Sequence, residues 1–467
     1  MAYSHSSHPT TGSIRVPEPV SSAAGPNAVQ NPLPRATAAE TAQILAEVEL
    51  PTVAKGPIIR RPRVVAAVER FGLEARAVKW MQAVAEKYGK GPLMLKVPGR
   101  NMALVLDPEH VHRILEESPE PFAPAETLKR HALKHFEPKV ALVSHGSERR
   151  RRRQVNEEAL DHGHPIHRMA EQFMPAVRQE AAALLREVDA AGGRLDYSAY
   201  FAAWFRMVNR VVLGDSYRDD DELLELMETQ RARGNWAFLR PVDTEARQQI
   251  PDRIQQAIDR AEPGSIAAFM GQQDYQAEDA PEQQVPQWLF AFDPAGMASY
   301  RGLALLASHP DRLQSARLQI TEQAAETAPT LPLLRATVLE SLRLWATTPM
   351  LLRETTREVE FEHGVMPRGT SVLIFTPFFH RDERNLDFAH RFVPEVGDHE
   401  RTREEWPLVP FSAGPGICPG RHLVLLLTST FMAELLAERQ IEVTSHQLVP
   451  GELPALLNNF SLEFALS

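Results

Sequence analysis

One cysteine, Cys418, occurs in the 467 residues, inside Phe411-Ser412-Ala413-Gly414-Pro415-Gly416-Ile417-Cys418-Pro419-Gly420. A chain with one thiol closes no disulfide on itself, so a buried core must hold its fold. Gly414, Gly416 and Gly420 frame the thiol, and glycine permits positive φ and close approach of the chain to a flat or bulky group. Pro419 suits the first turn of a helix, and the apolar run Leu423 to Leu436 predicts a buried one. Cys418 is thus expected at a helix N-terminus, where free N–H groups and the macrodipole favour thiolate over thiol. A lone cysteine is ordinarily a small buried apolar residue; it is the surroundings that mark this one as a candidate ligand.

Hydrophobic content of 43% with 24% charged residues is that of a globular protein. The net charge of −10 excludes a general attraction to nucleic acid. No apolar stretch has the length of a membrane span and the start lacks a signal-peptide core, so no membrane anchor and a cytoplasmic location are expected. Residues 1–50, rich in Ser, Ala, Pro and Thr, predict a flexible tail, and 51–467 one domain. Helical patterning runs from Val64 through Trp80 to Tyr88. Leu93–Val97 and Met102–Leu106 flank Pro98-Gly99 as a hairpin, and Asp107-Pro108 starts another helix. Residues 165–270 are amphipathic helices and 272–286 a polar loop. A long apolar helix then runs from Trp288 to about Ser308, where His309-Pro310 ends it. Residues 359–361 and 371–375 read as strands around Gly364. Nothing alternates as β-α-β, so the fold class is mainly α with a small β part.

Further motifs lie upstream of the cysteine. Glu340 and Arg343 share a helix face and can pair; Leu339, Leu342, Leu344 and Trp345 around them point to burial, where charges need partners. Pro349-Met350-Leu351-Leu352-Arg353 follows, then His380-Arg381-Asp382 and Phe392-Val393-Pro394-Glu395. Arg149 to Arg153 is an unbroken arginine run in which Arg149 and Arg153 share a face; most of it reads as a solvated face.

The pattern Phe-x-x-Gly-x-x-x-Cys-x-Gly, met by Phe411, Gly414, Cys418 and Gly420, resembles the haem-binding loop of the cytochrome P-450 family of haem-thiolate monooxygenases. Glu340 and Arg343 resemble its Glu-x-x-Arg pair. The resemblance spans roughly residues 75–440 and implies a single haem domain with a long central distal helix, of the soluble bacterial type. It implies haem b (iron protoporphyrin IX) with Cys418 as axial iron ligand, whose electron donation favours O–O cleavage. Arg149, Arg153 and Arg353 would contact the haem propionates, with Arg149 standing where the family has an aromatic or His. Two further departures are Gly416, where the family often has His or Arg, and Val396, where an arginine often completes a triad with Glu340 and Arg343. Arg391 or Arg401 is the candidate substitute.

On the distal helix the family usually has an acid followed by threonine. Counting back from His309-Pro310 puts Asp293 in the acid slot and Pro294 in the alcohol slot; a second register puts Ser299 in the alcohol slot. Spacing favours the first, which leaves the usual hydroxyl missing. Phe290, Ala291, Phe292 and Met297 are candidate pocket walls. The resemblance implies a monomeric monooxygenase that inserts one oxygen atom from O2 into an apolar small molecule. Ferredoxin and ferredoxin reductase-type partners would supply its electrons, since no flavin or iron–sulfur domain is appended. Pro294 keeps open a peroxide-driven peroxygenase or a non-redox isomerase or dehydratase, and a non-catalytic haem-binding sensor is the alternative of another class.

Overall fold

The computed structural model describes residues 32–397 and 401–467. Two apolar cores organise them. The larger is helical, and at its centre the apolar helix Val285–Ala307 packs against Tyr197–Val212, Pro332–Leu344 and Arg421–Leu436. This central helix starts three residues before the expected Trp288, because Pro286 sits in its first turn, where a missing N–H costs nothing. It remains helical through Pro294. A Cβ on Gly296 would come within 2.8 Å of the Trp204 ring, so only glycine lets the indole lie flat there and donate from Nε1 to the Phe292 carbonyl at 2.9 Å.

The second core covers a five-stranded sheet in the order Leu93–Val97, Arg100–Leu104, Ser371–Phe375, Met350–Thr355, Phe122–Ala123. The expected hairpin is present, with Val97 opposite Arg100 and Gly99 at positive φ in the turn. Arg100–Leu104 pairs in parallel with Ser371–Phe375; the remaining neighbours are antiparallel. Val359–Phe361 and Gly364–Met366 form a separate ribbon, and Arg194–Asp196, Glu463–Leu466 and Ile441–Val443 a third sheet. The expected 272–286 loop carries two short turns, 277–279 and 281–283, before the central helix begins.

The expected tail boundary falls inside folded structure. Residues 1–31 lie outside the described residues. Residues 32–50 do not behave as a tail: Thr37 caps the helix Ala38–Ile44, the chain continues helically to Ala54, and Pro32 and Arg35 bridge to Val365 and Met94. Leu33, Ala36, Ile44 and Val48 are at most 4% exposed in the sheet core. A polar composition hid these four, since each is separated from the next by small or charged residues. Ile44→Ala is therefore expected to destabilise the protein by about 2–5 kcal/mol, read as a shift of the urea midpoint; a flexible tail would give no shift.

Candidate haem site

The Cys418 loop sits between the two cores. Phe411 packs on the helical core, and Ala413 on the sheet core. The loop is closed by Cys418 N–H to the Phe411 carbonyl at 2.9 Å and Ile417 N–H to the Gly414 carbonyl at 2.9 Å. Gly414 has φ 60°, and a Cβ there would lie 2.4 Å from the Leu115 carbonyl oxygen, so the position admits only glycine. Gly420 caps the helix Arg421–Leu436. Cys418 thus stands just before a helix N-terminus, as expected, but burial pushes its thiol up; the Gly420 N–H, Arg153 and Arg421 offset this only in part. Desolvation outweighs the helix end, so this fold by itself favours the thiol, and a metal must displace the proton to form a bond.

Glu340 and Arg343, 1% and 2% exposed, pair through two bonds of 2.5 and 2.8 Å on the helix Pro332–Leu344. Arg343 also donates to the carbonyls of His380, Ala389 and Arg391. Among the described residues no third guanidinium is bonded to Glu340. Arg391 turns its side chain to Asp387, and Arg401 donates to the Val396 carbonyl and Glu405. The Val393 N–H takes the third place, donating to Glu340 Oε2 at 2.8 Å. His380 is held neutral, with its pKa lowered to about 3 by burial and by Arg343, and accepts from the Val409 N–H at Nε2. The pair thereby positions the segment that leads into Phe411.

Arg353, 4% exposed, donates to Ser118 Oγ, to the Leu352 carbonyl and to Ser412 Oγ on the cysteine loop. Gly416 is explained by it: a Cβ there would lie 3.0 Å from Arg353 Nη2. Arg149, 7% exposed, donates to the Ala141 carbonyl. Both guanidinium pKa values are lowered to about 10, first by burial and then by a like charge: Arg149 for Arg353, Arg153 for Arg149. Arg153 is half-buried, bonds Glu157 and acts on the Cys418 sulfur. Within the arginine run, Arg150 and Arg151 are exposed, whereas Arg152 is buried and bonded to Ser144 and Glu148.

Sequence reasoning missed a fourth cation. Lys129 donates to the carbonyls of Pro124 and Leu352, and its pKa is lowered to about 7 by burial, then by Arg353. No motif surrounds it; its one local signal is Glu126, which caps its helix. Lys129, Arg149 and Arg353 spend their hydrogen bonds on carbonyls and serines, not on carboxylates. Buried cations that lower one another's pKa call for an anion. A haem fits: two propionates would answer the cations, and the thiol would answer the iron.

On the central helix Ala291, Asp293 and Pro294 keep partial exposure, whereas Phe292 and Met297 are core residues. Phe290 stands 5.8 Å from Phe136, edge to face. Of the expected pocket walls, Phe290 and Met297 share the helix face of Asp293, and of these two Phe290 is the more exposed. Ser299 does not share that face: fully buried, it bonds Tyr200 Oη at 2.7 Å and its own helix at Ala295 and Gly296. The geometry removes it as the distal alcohol, because its hydroxyl packs against the neighbouring helix. Asp293 Oδ2 lies 3.7 Å from Arg231 Nη1, and burial raises its pKa to about 6, against the pull of Arg231.

A cytochrome P450 family model matches residues 62–275 and 289–459. The chain belongs to the cytochrome P450 family. Among curated relatives, methyltetrahydroprotoberberine 14-monooxygenase of Papaver somniferum is 30% identical over 30% of this chain and 29% of its own. Cyclooctat-9-en-7-ol 5-monooxygenase of Streptomyces melanosporofaciens is 31% identical over 28% and 30%. Probable cytochrome P450 4s3 of Drosophila melanogaster is 28% identical, and the match spans about a third of the length of each of these relatives. The structure of retinoic acid-bound cyanobacterial CYP120A1 matches 83% of this chain and 93% of its own with a TM-score of 0.67 at 18% identity, a likeness of fold. No described helix is long and apolar enough to cross a membrane.

Asp293 supplies a pH test. Its pKa rises from 3.8 to about 6 on folding, so its contribution is intact below pH 3.8 and is lost as pH climbs through 6. The loss approaches about 3 kcal/mol. Asp293→Asn should match the wild type in denaturant midpoint near pH 4 and exceed it above pH 7; parallel profiles for the two proteins would refute the assignment.

Proposed function

We propose that the protein is a haem-thiolate monooxygenase that inserts one oxygen atom from O2 into an apolar small molecule, using electrons from separate ferredoxin-type partners. The observation that carries this is a group of cations, Lys129, Arg149 and Arg353, that hydrogen-bond no carboxylate, with Arg353 bonded to the loop that presents Cys418. Haem held there supplies O–O cleavage and the oxidising equivalent. Cys418 would be the iron ligand, and Arg149, Arg153, Arg353 and Lys129 would hold the propionates. Phe411, Gly414 and Gly420 shape the loop. Asp293, with a pKa near 6, would hold and release a proton on the distal side close to working pH. Phe290, one turn back on the same face, would exclude water beside it.

Pro294 favours a second reading within the same site. It brings no hydroxyl to the face of Asp293, and Ser299 is bonded elsewhere, so proton delivery rests on one acid. An oxidant that arrives already reduced, hydrogen peroxide, needs less of that delivery.

A carbon monoxide difference spectrum of the reduced haem protein is expected to show the red-shifted thiolate band, and Cys418→Ala to lose it. Absence of the band, or its survival in the variant, would overturn the haem-thiolate reading. Turnover by peroxide as fast as with reduced ferredoxin would replace the monooxygenase by the peroxygenase. Lys129→Met should weaken haem retention several-fold in a transfer assay to apomyoglobin, with the band position unchanged; unaltered retention removes Lys129 from the propionate set.

A further inference from the structure

Arg231 lies on the helix Asp221–Gly234 and is 5% exposed. Its guanidinium stands 5.4 Å from the centre of the Phe290 ring, and Nη1 is 3.7 Å from Asp293 Oδ2. Nε and Nη2 are shut off from water and have no hydrogen-bond partner. These two atoms form one edge of the guanidinium, with parallel N–H bonds that match the two oxygens of a carboxylate. Leaving that edge unmet in the interior is costly.

The protein does not fill the edge itself. Glu137, 1% exposed, is the nearest candidate, but it makes no ion pair with Arg231; the Gln287 amide, oriented to donate, serves it at 2.7 Å. Burial holds the Glu137 carboxyl well above the usual range, against the pull of Arg231, and it reaches the guanidinium through the field alone, not through a hydrogen bond. Glu228, exposed one turn back on the same helix, acts on Arg231 and Asp293 at a distance and makes no hydrogen bond to that edge. Asp293 occupies the other end of the guanidinium. The guanidinium that carries the unmet edge thus lies against Phe290 and Asp293, one turn apart on the central helix.

We propose that the Nε and Nη2 edge of Arg231 receives the carboxylate of an organic-acid substrate, whose apolar remainder lies along Phe290. The proposal rests on the haem-thiolate reading above and sharpens its apolar substrate to an amphipathic acid. A second carboxylate on Arg231 also repels negative charge on Asp293, which keeps that acid protonated while substrate is bound. The arrangement gives one guanidinium two roles, anchoring the substrate and setting the proton on Asp293.

The test uses the full-length haem protein and a panel of alkyl and aryl carboxylic acids, each against its methyl ester, titrated by the spin-state change of the haem spectrum. Acids that shift the spectrum are expected to bind about tenfold or more tightly than their esters. Arg231→Met should bring the acid to the level of the ester, and Arg231→Lys, which keeps the charge but loses the fork, should retain part of the preference. A panel in which no acid outbinds its ester, or a preference that survives in Arg231→Met, overturns the proposal. Loss of the preference in Glu137→Gln with Arg231 intact also overturns it, since Glu137 would then be the binding group. The carbon monoxide band recorded on the same samples separates the two readings: its absence sinks the haem-thiolate reading, whereas its presence without acid preference sinks only the carboxylate site.

Discussion

The Arg343 guanidinium is the fixed point of the proximal half. Fully buried, it is clamped by Glu340 and spends its remaining donors on three carbonyls from a segment with little regular structure. That segment has few ladder bonds of its own, so its path from His380 to Val393 is set by where those carbonyls must go. A buried ion pair adds little stability over an apolar substitute, and removing one partner is expensive because the other charge is stranded. Its value here is geometric. Arg353 repeats the device at the cysteine loop, crossing from a sheet strand to Ser118 and Ser412. With Gly416 bare beneath it, the guanidinium leaves the loop one way to close.

What the sequence disclosed follows from this. Glu340, Arg343, Arg353 and the Phe411–Gly420 loop were legible because each constraint is local: a helix face, a short spacing, a glycine that a turn demands. The missing arginine at Val396 looked like a loss, yet a backbone N–H from Val393 does its work, and backbone donors carry no signature in a side-chain pattern. Lys129 and Arg231 were invisible for another reason. Each acquires its character from residues far away in the chain, and an ordinary lysine or arginine on a helix gives no hint of burial until the neighbouring elements are placed. The N-terminal residues 32–50 were misjudged on composition, because four well-spaced apolar side chains suffice to seat a segment on an existing core.

The thiol shows where a correct location came with an incomplete account of charge. The helix end does favour the thiolate, through the Gly420 N–H, but the electrostatic gain is smaller than the cost of taking a charge out of water. The same reasoning explains why cations gather nearby. Lys129, Arg149 and Arg353 are each depressed by burial and then by a neighbouring arginine, a configuration that an anionic group would relieve. The Cys418 thiol and these cations thus share one feature, unfavourable electrostatics that a bound haem would relieve.

The distal side is built the opposite way. There an acid, Asp293, is raised towards neutrality by burial and sits beside a guanidinium with an unfilled edge. Pro294 contributes no donor and frees the carbonyl one turn back, while Ser299 is committed to Tyr200. A hydroxyl at position 294 would bring a fixed, solvent-independent donor; a proline leaves the protonation of Asp293 to depend on what occupies Arg231. Proton supply in such a site would then be coupled to substrate charge, because the same cation serves both carboxylates. That coupling would tie oxidant formation to occupancy, with no moving lid required.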